Sequence, residues 1–215
     1  MPRRPKPPPP TAVLLVRHGQ TPTTGATLPG RAKGLHLSEH GTAQAHAVAE
    51  RIGRLGNVGA VYASPLERTR QTAAPIARAV GVRSRVERGL LECDFGAWTG
   101  RALKDLRKLP EWKTVQRYPS GFRFPDGESF VEMQTRMTGT LQRLVARHPG
   151  QTVVAVSHAD PIKAAVADAL GTHLDLFQRI VIGPCSVTAV WYTNDGPAVL
   201  ATNSTGDDLT TLALS

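Results

Sequence analysis

TAVLLVRHGQT, residues 11–21, runs five apolar residues, Ala12 to Val16, straight into Arg17, His18 and Gly19. An apolar run without polar alternation is the mark of a strand buried on both faces, as in a parallel sheet covered by helices on either side. The pattern recurs in GAVYAS (59–64) and TVVAVS (152–157), and helical spacing fills the intervals. Ser38 reads as an N-cap, after which Ala43, Ala47, Val48, Ile52 and Leu55 keep helical spacing up to Gly56. Ser64 and Pro65 are expected to cap a second helix to about Val80, closed by Gly81. A longer helix is expected from about Glu128 to His148, its stripe being Phe130, Met133, Met137, Leu141, Leu144 and Val145. Pro161 starts another that ends at Gly171. The segment SVTAVWYTNDGPAVLATN, from Ser186, reads as a hairpin turning at Asp195-Gly196. These elements predict a three-layer α/β/α fold around a mainly parallel sheet.

The chain has 215 residues, 40% of them hydrophobic, enough for one large domain with a substantial core. Residues 1–10 form a proline-rich basic arm, expected to be disordered, and 11–203 a single α/β domain. Residues 101–126, irregular and broken by Pro110, Pro119 and Pro125, are expected as an insertion roofing the site, and 204–215 as a flexible tail. The net charge of +9 favours anionic partners. Aromatic residues make up only 5%, thin for stacking single-stranded nucleic acid, and the charge is dispersed. No apolar run is long enough to span a bilayer, and the run behind the basic N-terminus is too short for a signal peptide. The expected compartment is the cytoplasm, with no membrane partner. Cys93 and Cys185 match no metal spacing and read as buried free thiols.

In an open α/β sheet, ligands bind beyond the carboxyl ends of the strands. The first strand exits into Arg17-His18-Gly19-Gln20-Thr21, the second into Ser64-Pro65-Leu66-Glu67-Arg68, and 152–157 into Ser157-His158-Ala159-Asp160. Two arginines and two histidines therefore meet at one edge. Guanidinium forks match phosphoryl oxygens, and free N–H groups at helix starts favour an anion. Gly19 is expected to let a ligand approach the backbone closely. The residues read as a pocket for a phosphate dianion with an imidazole able to attack it.

The same segments carry a family resemblance. VRHGQT, GLHLSEHGTAQA, ASPLERTRQTA, LLECDFGAWTG, FPDGES and VVAVSHAD, in this order over roughly residues 12–192, resemble the motifs of the histidine phosphatase superfamily, which includes cofactor-dependent phosphoglycerate mutases. The resemblance implies a phosphoglycerate mutase-like fold. It implies His18 as nucleophile, Arg17, Arg68 and His158 as stabilisers of the phosphoryl oxygens, and Glu92 as proton donor. Thr21, Thr24 and Ala159 fall in the substrate-contacting segments beside Gly19. His18 must be neutral to attack, which cationic neighbours favour. The chemistry so implied needs neither metal nor cofactor. Its products are a phosphohistidine and a leaving group protonated by Glu92, which then activates water.

The sequence departs from the family in places. Thr23-Thr24 stand where many relatives carry asparagine, Gln20 where glutamate is common, and Asp160 where glycine commonly follows the second histidine. Asp160 would repel a dianion unless paired, for instance with Lys163, and is expected to cap the Pro161 helix. His36-Leu37-Ser38-Glu39-His40 has the form of a zinc-peptidase motif, but Ser38 as N-cap leaves His36 outside the helix. The leading expectation is a metal-independent phosphomonoesterase acting on a small phosphorylated metabolite. The alternatives are a phosphoglycerate mutase-like phosphotransferase and, from another class, a non-catalytic anion or nucleic-acid binder. The edge of the 186–202 hairpin is a candidate for pairing with a second copy.

Overall fold

The strand that opens the sequence lies inside the sheet. A computed structural model describes residues 9–206 and 208–212. In it β1 (Thr11–Arg17) pairs parallel with β4 (Thr152–Ser157) on one side and antiparallel with β5 (Val187–Thr193) on the other. With β2 (Val58–Ala63), β3 (Ser84–Val86) and β6 (Gly196–Ser204) the sheet has six strands in the order β3-β2-β4-β1-β5-β6. Pairing is parallel from β3 to β1 and antiparallel in the β5–β6 hairpin.

Successive side chains of a strand point to opposite faces, and β1 feeds two cores at once. Leu14 and Val16 pack with α1 (Glu39–Gly53) and α2 (Glu67–Ala79), whose Val48, Ile52, Ala73 and Ile76 are buried there. Val13 and Leu15 pack on the opposite face with Met137, Leu141 and Leu144 of α5 (Phe130–Arg147) and Ile162 and Val166 of α6 (Ala159–Ala169). That is why the run has no polar alternation. Its four core side chains are fully buried, and fully burying an aliphatic side chain contributes about 1.5–3 kcal/mol.

Several expectations hold locally. Ser38 caps α1 by accepting from the Gly41 N–H. Ser129 and Glu132 form a capping box that starts α5. The hairpin is present, but Gly196 opens β6 opposite Thr193, so its turn falls on Asn194 and Asp195, one residue before the expected pair. Others need correction. Ser64 does not cap α2: the N-cap is Leu66, with no side-chain cap bond, and the Ser64 hydroxyl bonds His158 instead. The stretch after Gly81 contains β3, unrecognised because three exposed residues carry no apolar signal. Residues 101–126 are not irregular throughout. They contain α3 (Leu103–Leu106) and α4 (Glu111–Arg117), and with Phe95, Trp98 and Phe130 they build a third core around Leu106, Val115, Phe122 and Phe124. The expected flexible tail includes a 3-10 turn, Leu209–Leu212, whose Leu209 is buried in the core that α1 and α2 share with the sheet. Most of the proline-rich arm, residues 1–8, lies outside the described residues.

One backbone contact sets the loop after β1. A Cβ on Gly41 would lie 2.0 Å from the Gln20 carbonyl oxygen, and one on Gly19 2.5 Å from the Gly41 oxygen. The start of α1 thus abuts the chain just past His18. Replacing glycine by alanine inside a helix ordinarily adds about 0.5–1 kcal/mol of stability. Gly41→Ala should have the opposite sign, a loss of about 1–3 kcal/mol, because the methyl group meets backbone rather than a movable side chain. Urea denaturation checks this, and a raised midpoint for Gly41→Ala would refute the tight-contact account.

Candidate active site

His18 follows directly on β1, its N–H donating to the Ser157 carbonyl of β4 at 3.0 Å. Its Nδ1 lies 2.7 Å from the Gly19 carbonyl oxygen. A carbonyl only accepts, so Nδ1 carries the proton and Nε2 keeps its lone pair. Burial, then Arg68 and Arg17, push the His18 pKa down to about 3, so the ring is neutral near pH 7.

His158 follows directly on β4 and is the N-cap residue of α6. It is 0% exposed, and its ring stands 5.2 Å from that of His18, edge to face. Its Nε2 lies 2.9 Å from the Ser64 hydroxyl. When Ser64 donates to Nε2, Nδ1 carries a proton that no described protein group accepts. Burial and the Arg68 charge hold this ring neutral too.

Arg68, on the first turn of α2, is 0% exposed, yet among the described residues its guanidinium makes one hydrogen bond, from Nη2 to the Gly30 carbonyl at 2.7 Å. Arg17 donates from Nη1 to the Ile182 carbonyl at 2.7 Å. Among the described residues five buried side-chain polar atoms lack a partner. They are Arg17 Nε, Arg68 Nε and Nη1, His158 Nδ1 and the Ser186 hydroxyl. Four of the five belong to the residues that the strand exits single out. A desolvated donor left unpaired costs about 1–3 kcal/mol, more when charged. Such a cluster presents unused donors of the kind that match the oxygens of an anion.

Glu92 is 7% exposed, and Oε1 accepts from the Cys93 N–H at 2.9 Å. Burial first, and the Asp160 charge second, raise its pKa to about 7, against the opposing pull of Arg68 and Arg17. The loop that carries it is held by side chains that sequence reasoning misses. Arg31 Nε donates to the Glu92 carbonyl at 2.9 Å, and Arg136 Nη2 to the same oxygen at 3.3 Å. Arg136 Nη1 donates to the carbonyls of Gly89 and Leu91. Both guanidiniums close on the Glu128 carboxylate, which also accepts from the Asp94 N–H. Glu128 stands in FPDGES, a segment whose resemblance is visible in the sequence but whose partners are not.

The remaining residues meet expectation in part. Gly19 lacks a side chain because Gly41 leaves no room for one, and its N–H donates to the Thr72 hydroxyl at 3.0 Å. The fold alone thus requires glycine there, apart from any ligand. The Thr21 N–H donates to the Thr24 hydroxyl at 2.8 Å, and the two hydroxyls lie 3.0 Å apart, so both fasten the loop beyond His18. Ala159 opens α6, where a backbone N–H has no intrahelical acceptor. Asp160 does not cap this helix; it pairs with Lys163 at 3.4 Å. His36 lies outside α1, with Gln71 Nε2 donating to its Nδ1, and among the described residues no group of three or more His, Cys, Asp or Glu is arranged to hold a metal ion. Cys93 and Cys185 are buried free thiols.

Known proteins share much of this chain. It is 33% identical over 205 residues to a bifunctional protein of Mycobacterium tuberculosis, covering 92% of this chain and 55% of that protein. It thus spans about half the length of that relative. It is 35% identical over 170 residues to phosphoserine phosphatase 1 of Hydrogenobacter thermophilus, covering 77% of this chain and 79% of the other. Among solved structures, mycobacterial glucosyl-3-phosphoglycerate phosphatase superposes with a TM-score of 0.82 at 25% identity, over 91% of this chain and 99% of that one. Bacillus stearothermophilus YhfR, at 24% identity and a TM-score of 0.85 over 91% and 98% of the two chains, shares the fold. The sequence profile of the histidine phosphatase superfamily (branch 1) matches residues 13–205, and the chain belongs to that family.

Proposed function

We propose that the chain is a metal-independent phosphomonoesterase acting on a small phosphorylated metabolite through a phosphohistidine at His18. The observation that carries this reading is the ring of unpartnered buried donors on Arg17, Arg68 and His158 around an imidazole with a free Nε2. The Nε2 lone pair attacks phosphorus and the P–O ester bond breaks, its electron pair leaving with the ester oxygen. Glu92, its pKa raised to about 7, gives that oxygen a proton. Water then gives a proton back to the Glu92 carboxylate as its oxygen attacks phosphorus. The P–N pair returns to Nε2 and phosphate is released. Charge growing on the equatorial oxygens meets the two guanidiniums and His158, which are fixed before reaction. In this reading the arginines stabilise charge as a magnesium ion would. The Gly19 carbonyl, accepting from Nδ1, steadies the ring as it gains charge.

A phosphotransferase reading uses the same residues and differs in the acceptor. It is favoured by a probable phosphoglycerate mutase of Yersinia pestis, 32% identical over 182 residues and 84% of each chain. Phosphoryl transfer to a glycerate acceptor separates the two readings. Non-specific nucleic-acid binding would draw on the exposed part of the +9 charge and leaves the buried His18, Arg68 and His158 without a role. The reading includes a cytoplasmic location; no described helix is long and apolar enough to cross a membrane. It also includes residues 101–126 roofing the site, and the β6 edge as the surface for a second copy.

His18→Ala should abolish turnover of p-nitrophenyl phosphate, and the wild-type rate should survive EDTA. Acid-labile, base-stable phosphate on His18 after rapid quench is the positive signature. Loss of activity in EDTA that zinc or magnesium restores would sink the metal-free mechanism. Glu92→Gln should lower kcat/KM for alkyl phosphates by about 10²–10⁴-fold. It should change the nitrophenyl ester, whose oxygen needs little protonation, far less. Because the Glu92 pKa is raised, its acid form persists to about pH 7 and is lost above it. Wild-type kcat/KM for alkyl esters should therefore fall as pH rises past neutrality, and that limb should vanish in Glu92→Gln. Glu128→Gln should loosen the Arg31 and Arg136 clamp. The expected result is a drop in kcat of about tenfold or more with KM little altered and the alkaline limb displaced, read in the same pH series. A uniform loss with an unmoved limb would mean that Glu128 supports the fold alone.

A further inference from the structure

Two neutral, buried imidazoles stand side by side at the site, and a hydroxyl that the mechanism leaves unused touches one of them. Among the described residues the Ser64 hydroxyl has one hydrogen-bond partner, His158 Nε2 at 2.9 Å, and both residues are 0% exposed. Ser64 follows β2, and its backbone is held on both sides. Its N–H donates to the Val156 carbonyl of β4 at 3.0 Å, and its carbonyl accepts from the Thr69 hydroxyl of α2 at 2.8 Å. Pro65 comes next, which keeps the Ser64 backbone extended. The hydroxyl is a fixed point beside a ring that no other described group hydrogen-bonds.

Two proton arrangements fit that contact. In one, Ser64 donates to Nε2 and the ring proton sits on Nδ1. In the other, Nε2 donates to the hydroxyl and Nδ1 is bare. The second leaves a buried hydroxyl hydrogen without an acceptor among the described residues, and Nδ1 without a donor. The first leaves only the Nδ1 proton unpaired. The His158 ring is edge to face with that of His18, 5.2 Å between centroids, so a phosphoryl group on His18 would lie beside it. A bare Nδ1 would set its lone pair against the phosphoryl oxygens, whereas Nδ1–H would donate to them. A free histidine side chain favours the proton on Nε2; in a folded site the bonds its nitrogens make decide otherwise. His18 is held in the same form by the opposite device, the Gly19 carbonyl at Nδ1. The two rings then differ in one respect. The lone pair of His18 is open, and that of His158 is taken up by Ser64.

Resting on the phosphatase reading, we propose that Ser64 is a positioning residue. Its hydroxyl holds His158 with the proton on Nδ1, which makes that ring a donor to the phosphoryl oxygens and leaves the attacking lone pair to His18 alone.

The test reads the ring nitrogens directly, by nitrogen NMR of the protein carrying isotope-labelled histidine, with inorganic phosphate present. The His158 signal, identified by its loss in His158→Asn, should show a bare Nε2 and a protonated Nδ1. Ser64→Ala should move the proton to Nε2 in a large share of the molecules. It should also lower kcat for p-nitrophenyl phosphate by about tenfold or more, as expected when a donor to the reacting group is lost. In a His158→Asn background the same substitution should cost no more than about twofold, because Ser64 acts through the ring. A wild-type His158 with its proton on Nε2 overturns the proposal without recourse to any Ser64 variant. So does a Ser64→Ala loss of equal size in both backgrounds, the mark of a residue that only supports the strand end. A wild type with no turnover and no phosphohistidine would overturn the phosphatase reading instead, and the imidazole spectrum would still decide the tautomer.

Discussion

A guanidinium wholly removed from water, with one carbonyl to hold it, is the constraint around which the molecule is arranged. Arg68 is 0% exposed, and among the described residues its side chain bonds only the Gly30 oxygen. A buried charge without a counterion is strongly unfavourable. Glu92 offers partial compensation from a distance, and in turn its own pKa is pulled down by Arg68 while burial drives it up. Burial first, and the Arg68 charge second, keep His18 and His158 neutral. Burial and this cation together leave two neutral imidazoles beside a carboxyl whose pKa stands at about 7. In the proposed reaction a phosphate dianion would supply what the arginine lacks.

Support for this arrangement is distributed unevenly. The histidines and Arg17 stand at strand ends, where the hydrogen bonding of β1 and β4 fixes them. Glu92 stands in a loop and has no ladder to fix it. The loop is instead pinned from outside by Arg31 and Arg136, both gathered by the Glu128 carboxylate. Charge-assisted, partly buried contacts of this kind are stiffer than exposed ion pairs. They hold main-chain oxygens rather than the Glu92 carboxyl, leaving the carboxyl free to exchange a proton.

What is legible in the sequence follows from these differences. Apolar runs reveal buried strands, and a strand end defines where its next side chain goes. His18, Arg17 and His158 are therefore placed together by the apolar pattern alone. The loop motif around Glu92 shows itself through resemblance, whereas Arg31, Glu128 and Arg136 give no sign of their role. Their partners are 61, 97 and 44 residues away, and no local spacing encodes such pairs. Gly19 shows the reverse failure. The residue stands out in the sequence, but its reason lies in Gly41, a contact between two backbones that periodicity cannot report. Residues 101–126 read as irregular because their apolar side chains form an aromatic cluster with distant Phe95 and Phe130 rather than a helical stripe.

The pairing of β1 has a consequence for how the protein forms. Its two neighbours are β4 and β5, so that Ala12 sits opposite Thr152 and Trp191. The strand nearest the N-terminus is completed only by chain from the last third of the sequence. Contacts of such separation are slow to close, because loop entropy is lost before the contact repays it. During synthesis β1 must remain an unpaired apolar edge until residues 152–193 emerge, the exposed state in which chains associate wrongly. His18 is thus among the first site residues made and among the last to be placed. The proposed nucleophile is enclosed only when strands from the far end of the chain have arrived.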